Sequence, residues 1–288
     1  MTLRERLNAD PILVAPGVYD ALTASLAEAA GFEALYLSGA AVAYTRLGRP
    51  DIGLTSVNEM TDTMALIRDR TELPVIIDAD TGFGNALNAQ RTMRLYERAG
   101  ASALQLEDQT YPKRCGHLAD KSLISTGEMT GKIKAMADAR ASDETLIIAR
   151  TDAIAVEGFD AALERAEHYV EAGADALFIE APQSMEQLTG IVTRFKGRAP
   201  LMANMVEGGA TPMRTAADLE AIGFSLVIFP GGIVRAIART AEDYYASLKS
   251  NGSNTPFKER MFDFSALNER LGTDAMLTTG KRYDESEG

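Results

Sequence analysis

Ala99-Gly100-Ala101-Ser102-Ala103-Leu104-Gln105-Leu106-Glu107-Asp108 runs from the end of a helical pattern through a glycine into a short apolar stretch that closes on two acids. The same phrase recurs at 29–38 (Ala-Ala-Gly-Phe-Glu-Ala-Leu-Tyr-Leu-Ser), 172–180 (Ala-Gly-Ala-Asp-Ala-Leu-Phe-Ile-Glu) and 222–230 (Ile-Gly-Phe-Ser-Leu-Val-Ile-Phe-Pro). Glycine closes a helix by taking the left-handed conformation. A brief, fully apolar run after it is the pattern of a strand buried on both faces.

Between these units lie four more strand-like runs, at 12–16, 74–80, 145–152 and 200–205. The segments between strands carry helical periodicity, clearest over 87–99 and 161–172, so strand and helix alternate throughout. That alternation implies parallel strands with right-handed crossovers. Eight such units in a chain of 288 residues match an α/β fold of the closed (β/α)8 TIM-barrel type. A doubly wound open sheet is the alternative; the recurrence of the phrase on every second strand favours a ring. Residues 1–250 are expected to form the barrel and 251–288 a helical extension with a polar tail. Its amphipathic stretch Phe262 to Leu271 could dock on its own barrel or on a neighbouring subunit, since helix exchange is an easy route to dimers.

Composition narrows the function. The chain is 46% hydrophobic and 24% charged, with a net charge of −12 and no basic stripe, which argues against nucleic acid as a partner. No apolar run reaches membrane-spanning length and the N-terminus has no signal-like core, so a cytoplasmic protein without a membrane partner is expected. A single cysteine suits a reducing compartment.

In barrel enzymes the active site lies where the strands end. Here the ends carry Ser38, Asp78 with Asp80, Glu107 with Asp108, Arg150 with Asp152, Glu180, and Asn204 followed by Glu207. One strand-end acid is as readily a helix cap as a ligand, but capping does not account for Arg150 or for two acids at alternate positions, 78 and 80, which a strand's pleat would point from one face toward the same location. Carboxylates gathered at one mouth need a cation among them. Oxygen donors without a His or Cys cluster favour Mg2+, with Mn2+ possible: Asp80 as a direct or nearly direct ligand, Asp78 and Glu107 through water. Arg150 is suited to an oxyanion, and the backbone at Ser38, Gly39 and Ala40 to a carboxylate. The one cysteine, Cys115, stands in Lys113-Arg114-Cys115-Gly116-His117, among groups that favour a reactive thiol over a packed one.

Together, Leu-Ser-Gly-Ala (37–40), Asp-Ala-Asp-Thr-Gly-Phe-Gly (78–84), Leu-Glu-Asp-Gln (106–109), Lys-Arg-Cys-Gly-His (113–117), Ala-Arg-Thr-Asp (149–152) and Asn-Met-Val-Glu-Gly-Gly-Ala-Thr-Pro (204–212) resemble the isocitrate lyase and phosphoenolpyruvate mutase superfamily. The likeness spans nearly the whole chain, in order. The cysteine loop is similar to that of the carbon–carbon lyase branch, which includes isocitrate, methylisocitrate and 2,3-dimethylmalate lyases.

The resemblance implies a Mg2+-dependent barrel, usually a tetramer of helix-swapped dimers, that cleaves a 2-hydroxy dicarboxylate or tricarboxylate to a 2-oxo acid and a carboxylate. It implies Cys115 as the acid on a closing loop, Arg150 at the alkoxide, and Tyr36 as a candidate base, with barrel packing the competing account of Tyr36. Gly116, His117, Glu180, Asn204 and Glu207 are the remaining expected substrate contacts. Methylisocitrate lyases tend to have Thr-Glu-Phe-Gly where this chain has Val206-Glu207-Gly208-Gly209. Loss of the hydroxyl and the aromatic ring tilts the expectation toward an alkylmalate such as 2,3-dimethylmalate, giving pyruvate. The alternatives are an oxaloacetate hydrolase or decarboxylase, a phosphonate mutase or hydrolase, and a non-catalytic metabolite-binding protein.

Overall fold

The computed structural model describes residues 1–116 and 120–284. Eight parallel strands, β1 (Leu13–Val18), β2 (Leu35–Leu37), β3 (Val75–Asp78), β4 (Ala103–Glu107), β5 (Leu146–Thr151), β6 (Ala176–Ile179), β7 (Leu201–Asn204) and β8 (Leu226–Phe229), pair in sequence order. The ring closes where β1 meets β8, with Leu13 opposite Leu226 and Pro16 opposite Phe229. That seam excludes the open-sheet alternative.

The four glycines of the repeated phrase, Gly31, Gly100, Gly173 and Gly223, all have positive φ, from 88° to 118°, as a helix stop requires. Helix starts are equally explicit. Asp20, Ser56, Asn85 and Thr215 each accept a backbone N–H from the first turn and complete a capping box, which satisfies donors that a helix leaves unpaired.

Two apolar layers follow from the strand pleat. Inward-facing Ala15, Tyr36, Ile76, Ile148, Phe178, Met202 and Ile228 fill the barrel, joined by Leu3 and Leu7 of a short N-terminal helix, Leu3–Leu7. Outward-facing residues such as Leu37, Ile77, Leu104 and Leu177 pack with helix residues Met64, Met93, Tyr96, Tyr169 and Phe195. Phe195 is fully buried, so its truncation to alanine would cost about 3–5 kcal/mol.

The chain forms two compact units, Met1–Val234 and the remainder from Arg235, and the division falls inside the helix Gly232–Asn251. Within the second unit Phe257 is buried, with Tyr244 edge-on to it and the Arg260 guanidinium over its ring. The amphipathic stretch is a helix, Phe264–Leu271, followed by Thr273–Asp284. Among the described residues no helix is long and apolar enough to cross a membrane.

Candidate active site

Strand β3 stops at Asp78, and the chain turns at once: Asp80 has φ 44° and its backbone N–H donates to Asp78 Oδ1 at 3.1 Å. The expectation that both acids belong to one strand face is thereby corrected. A left-handed turn, rather than the pleat, sets the two carboxylates together. Gly39 completes the approach, since a Cβ there would lie 3.0 Å from Asp78 Oδ2. Asp78, Asp80 and Glu107 are all buried.

Burial pushes the Asp80 carboxyl up to about 7; Lys113 opposes this, and Asp78 and Asp51 reinforce it. Glu107 is raised well above the usual carboxylate range by burial, against the pull of Arg150. Two oxygens in this group, Asp80 Oδ1 and Glu107 Oε1, are buried without a hydrogen-bond partner, although Asp80 Oδ1 forms an ion pair with Lys113. Among the described residues no three acidic, His or Cys side chains form a ready-made ion cage. An all-oxygen set in which Glu107 Oε1 is left orphaned nonetheless fits a hard divalent cation that keeps several waters and takes one or two direct carboxylates.

Arg150, near the end of β5, lies beside this group. Its Nε and Nη2 donate to Asp152 Oδ2 and Oδ1 at 2.8 and 3.0 Å, its Nε is 3.4 Å from Glu107 Oε2, and the guanidinium stands over the Phe178 ring. Burial alone would raise Asp152, but Arg150 and Lys121 hold it down at about 2. Asp108 anchors this arrangement from behind: it accepts the Asp152 backbone N–H at 3.0 Å and the Thr151 and Tyr169 hydroxyls, each at 2.7 Å. Asp108 therefore has a structural place one layer outside the mouth.

The cysteine segment reaches across the mouth. Its base is closed by a bridge between Gln109 and Leu123, and the Gln109 amide both donates to the Arg114 carbonyl and accepts its N–H. Lys113 Nζ lies 2.6 Å from Asp51 Oδ1 and 2.9 Å from Asp80 Oδ1; its long stem delivers the ammonium into the acidic group. Half-buried Cys115 donates its backbone N–H to the Asp51 carbonyl. Gly116 is pressed against the barrel residues, where an added Cβ would sit 2.3 Å from Arg150 Nη2 and 2.6 Å from Glu180 Oε1. Lys121 Nζ donates to Asp152 Oδ1 at 2.8 Å and to the Gly116 carbonyl.

The other expected residues are placed as follows. Ser38 caps the turn Gly39–Val42, which contains Ala40, by accepting the Ala41 N–H. Tyr36 lies in the barrel interior, donating its hydroxyl to Gln105 Oε1 at 2.7 Å, and burial holds its phenol well above the ordinary range. That environment fits the packing account of Tyr36 and places its hydroxyl on Gln105. Asn204 Nδ2 donates to Glu180 at 3.4 Å while its Oδ1 is buried and unpartnered. Glu180 faces Gly116 and Asn204 across the mouth. Glu207 is exposed on the loop after β7, with Oε1 near Gly232. His117 lies outside the described residues.

Three participants were not anticipated as such: Asp51, Lys121 and the inward-reaching side chain of Lys113. Asp51 sits far along the connection after β2, well past the strand end, so the strand-end rule did not mark it.

The comparisons with known proteins agree with the barrel fold. Residues 3–249 match the family described as phosphoenolpyruvate phosphomutase. The chain is 41% identical to a 2,3-dimethylmalate lyase of Eubacterium barkeri over 98% of this chain and 96% of that one. It is 45% identical to a 2-methylisocitrate lyase of Aeropyrum pernix, over 94% and 87% respectively. A crystal structure of 2,3-dimethylmalate lyase, a member of the PEP mutase/isocitrate lyase superfamily, superposes with a TM-score of 0.92 at 36% identity, covering 98% of this chain and 94% of that one.

Proposed function

Because the chain belongs to the phosphoenolpyruvate phosphomutase family, we propose that it is a carbon–carbon lyase that cleaves an alkyl-substituted 2-hydroxy dicarboxylate, such as 2,3-dimethylmalate, to pyruvate and a short carboxylate. The observation that carries this reading is the seating of Gly116, next to Cys115, directly on Arg150 and Glu180. A thiol carried to the same mouth as the oxyanion-binding guanidinium and the acidic group is what protonation of a leaving carbanion requires.

Asp80, with Asp78 and Glu107 through water, would hold a divalent ion, for which we take Mg2+, with Mn2+ as a substitute. Such an ion, when bound, lowers the pKa of the 2-hydroxyl and polarises the neighbouring carboxylate. Arg150 stabilises the oxyanion left when the hydroxyl proton passes to solvent water, which later returns one proton to the thiolate. The electron pair of the breaking C–C bond passes to the carbon beside the departing carboxylate, and the alcohol carbon becomes a 2-oxo group. Cys115 gives its S–H proton to that carbon, leaving a thiolate that solvent reprotonates after product release. Ser38, Gly39 and Ala40 bind the oxo acid's carboxylate at the β2 end. In this scheme Tyr36 fixes Gln105, which reaches toward Asp78, and Glu180 orients Asn204.

The loop after β7 supports an alkylmalate over a larger tricarboxylate. Gly208 has φ 77° with open space where a Cβ would stand, so the wall supplied by phenylalanine in the methylisocitrate lyase pattern is missing. One such contact shifts discrimination by about 1–3 kcal/mol. The second unit exposes Phe264, Met276 and Leu277, an apolar surface suited to a second copy, and we infer helix-swapped dimers paired as a tetramer. A chain with one cysteine, which can form no internal disulfide, supports a cytoplasmic setting.

The test is turnover of purified protein with Mg2+ on 2,3-dimethylmalate, other alkylmalates, 2-methylisocitrate, isocitrate and oxaloacetate, with detection of 2-oxo acid. Pyruvate release fastest from 2,3-dimethylmalate is expected; oxalate from oxaloacetate with no alkylmalate cleavage would overturn the proposal.

A further inference from the structure

We propose that Lys121 is a positioning residue that registers the Cys115–Gly116 stretch against Arg150 by way of Asp152. The inference rests on the reading of Cys115 as proton donor, but its geometry stands apart from the acidic group at Asp80. The Lys121 side chain is 2% exposed, and burying an ammonium is costly unless oxygens surround it. Two do: Asp152 Oδ1 and the carbonyl of Gly116.

Asp152 is held to the barrel independently of the cysteine segment. Its backbone N–H is fixed by Asp108, and its carboxylate grips Arg150 at both oxygens. Lys121 thus ties a carbonyl of the segment to the same carboxylate that aims the guanidinium. Gly116 has no slack on the other side, because Arg150 and Glu180 occupy the space a side chain would need. Pulled by Lys121 and stopped by Arg150, Gly116 has one depth of insertion, and Cys115 is its covalent neighbour. Charge is matched as well: Asp152 serves two cations, so loss of Lys121 leaves Arg150 its partner while the Gly116 carbonyl loses an ammonium.

Cys115 is the sole cysteine, so alkylation of the full chain reports on this segment without any assay of turnover. Iodoacetamide rates would be measured across pH for wild type, Lys121→Met and Lys121→Arg. The high-pH plateau isolates access from thiol ionisation. The plateau is expected to rise about tenfold or more in Lys121→Met, as loss of a buried charge-assisted hydrogen bond favours local opening. Lys121→Arg should stay within about threefold of wild type because it keeps a cation for both oxygens. In turnover, Lys121→Met should lower kcat with KM nearly unchanged. An unchanged plateau in Lys121→Met would overturn the inference. If that variant proves unfolded by thermal melt, Lys121→Gln, which keeps an N–H for Gly116 and loses the charge, decides in its place by the same criterion. Absence of wild-type lyase activity would count against the functional proposal alone, with alkylation still deciding the role of Lys121.

Discussion

Asp152 accepts two parallel hydrogen bonds from Arg150, at 2.8 and 3.0 Å, with both side chains buried at the end of the same strand. The pair is a fork-to-fork contact of the strong, charge-assisted kind. Asp152→Asn should therefore misaim the guanidinium and lower kcat by about 10²-fold, read by steady-state kinetics.

The same carboxylate predicts an acid signature. Held at about 2 in the fold against about 3.9 unfolded, Asp152 contributes stability that is present above pH 4 and lost as pH falls through 2. The stability gap between wild type and Asp152→Asn should shrink by about 2 kcal/mol over that window, measured by urea unfolding at a series of pH values.

Cys115→Ser should reduce cleavage by at least about 10²-fold while the affinity for a non-cleavable dicarboxylate, measured by calorimetry, is retained. Wild-type turnover in that variant would remove the thiol from the chemistry.

Gly116→Ala introduces a methyl group 2.3 Å from Arg150 Nη2. The segment must then back away from the mouth, so kcat should fall by about 10²-fold. Fold stability should fall by only about 1–2 kcal/mol, the cost of the buried Lys121 contact to the Gly116 carbonyl given up when the segment shifts. Thermal melting alongside kinetics separates the two.

Chelation should stop turnover, and Mg2+ or Mn2+ should restore it. Asp80 titrates near 7 in the metal-free protein, so below that pH a proton occupies the oxygen a cation needs. Apparent Mn2+ affinity should fall about tenfold per pH unit below 7 and level off above it, measured by electron paramagnetic resonance. Asp80→Asn should bind weakly at every pH.

The strands were legible because each is a short apolar run bounded by a glycine stop or a polar end, and such runs bury on both faces wherever they occur. The acids at 78, 107 and 152 were legible by position, as strand ends. What escaped was set by loops and long side chains. Asp51 and Lys121 lie deep in the long connections after β2 and β4 rather than at a strand end, and Lys113, read as a neighbour of the thiol, sends its ammonium past the backbone into the acids. Asp80 was found for an incorrect geometric reason, since a turn and not a pleat aims it. Tyr36 illustrates a residue whose type and position are ambiguous until its hydroxyl partner, Gln105, is known.

The pairing of Leu13 with Leu226 also has a bearing on biosynthesis. The first strand to leave the ribosome finds its second neighbour only after nearly the whole ring has been translated, and contacts so distant in the chain form slowly. Until β8 emerges, the nascent sheet carries two unpaired edges that invite association with other chains. Truncation before Phe229 should accordingly yield aggregates rather than a smaller folded protein.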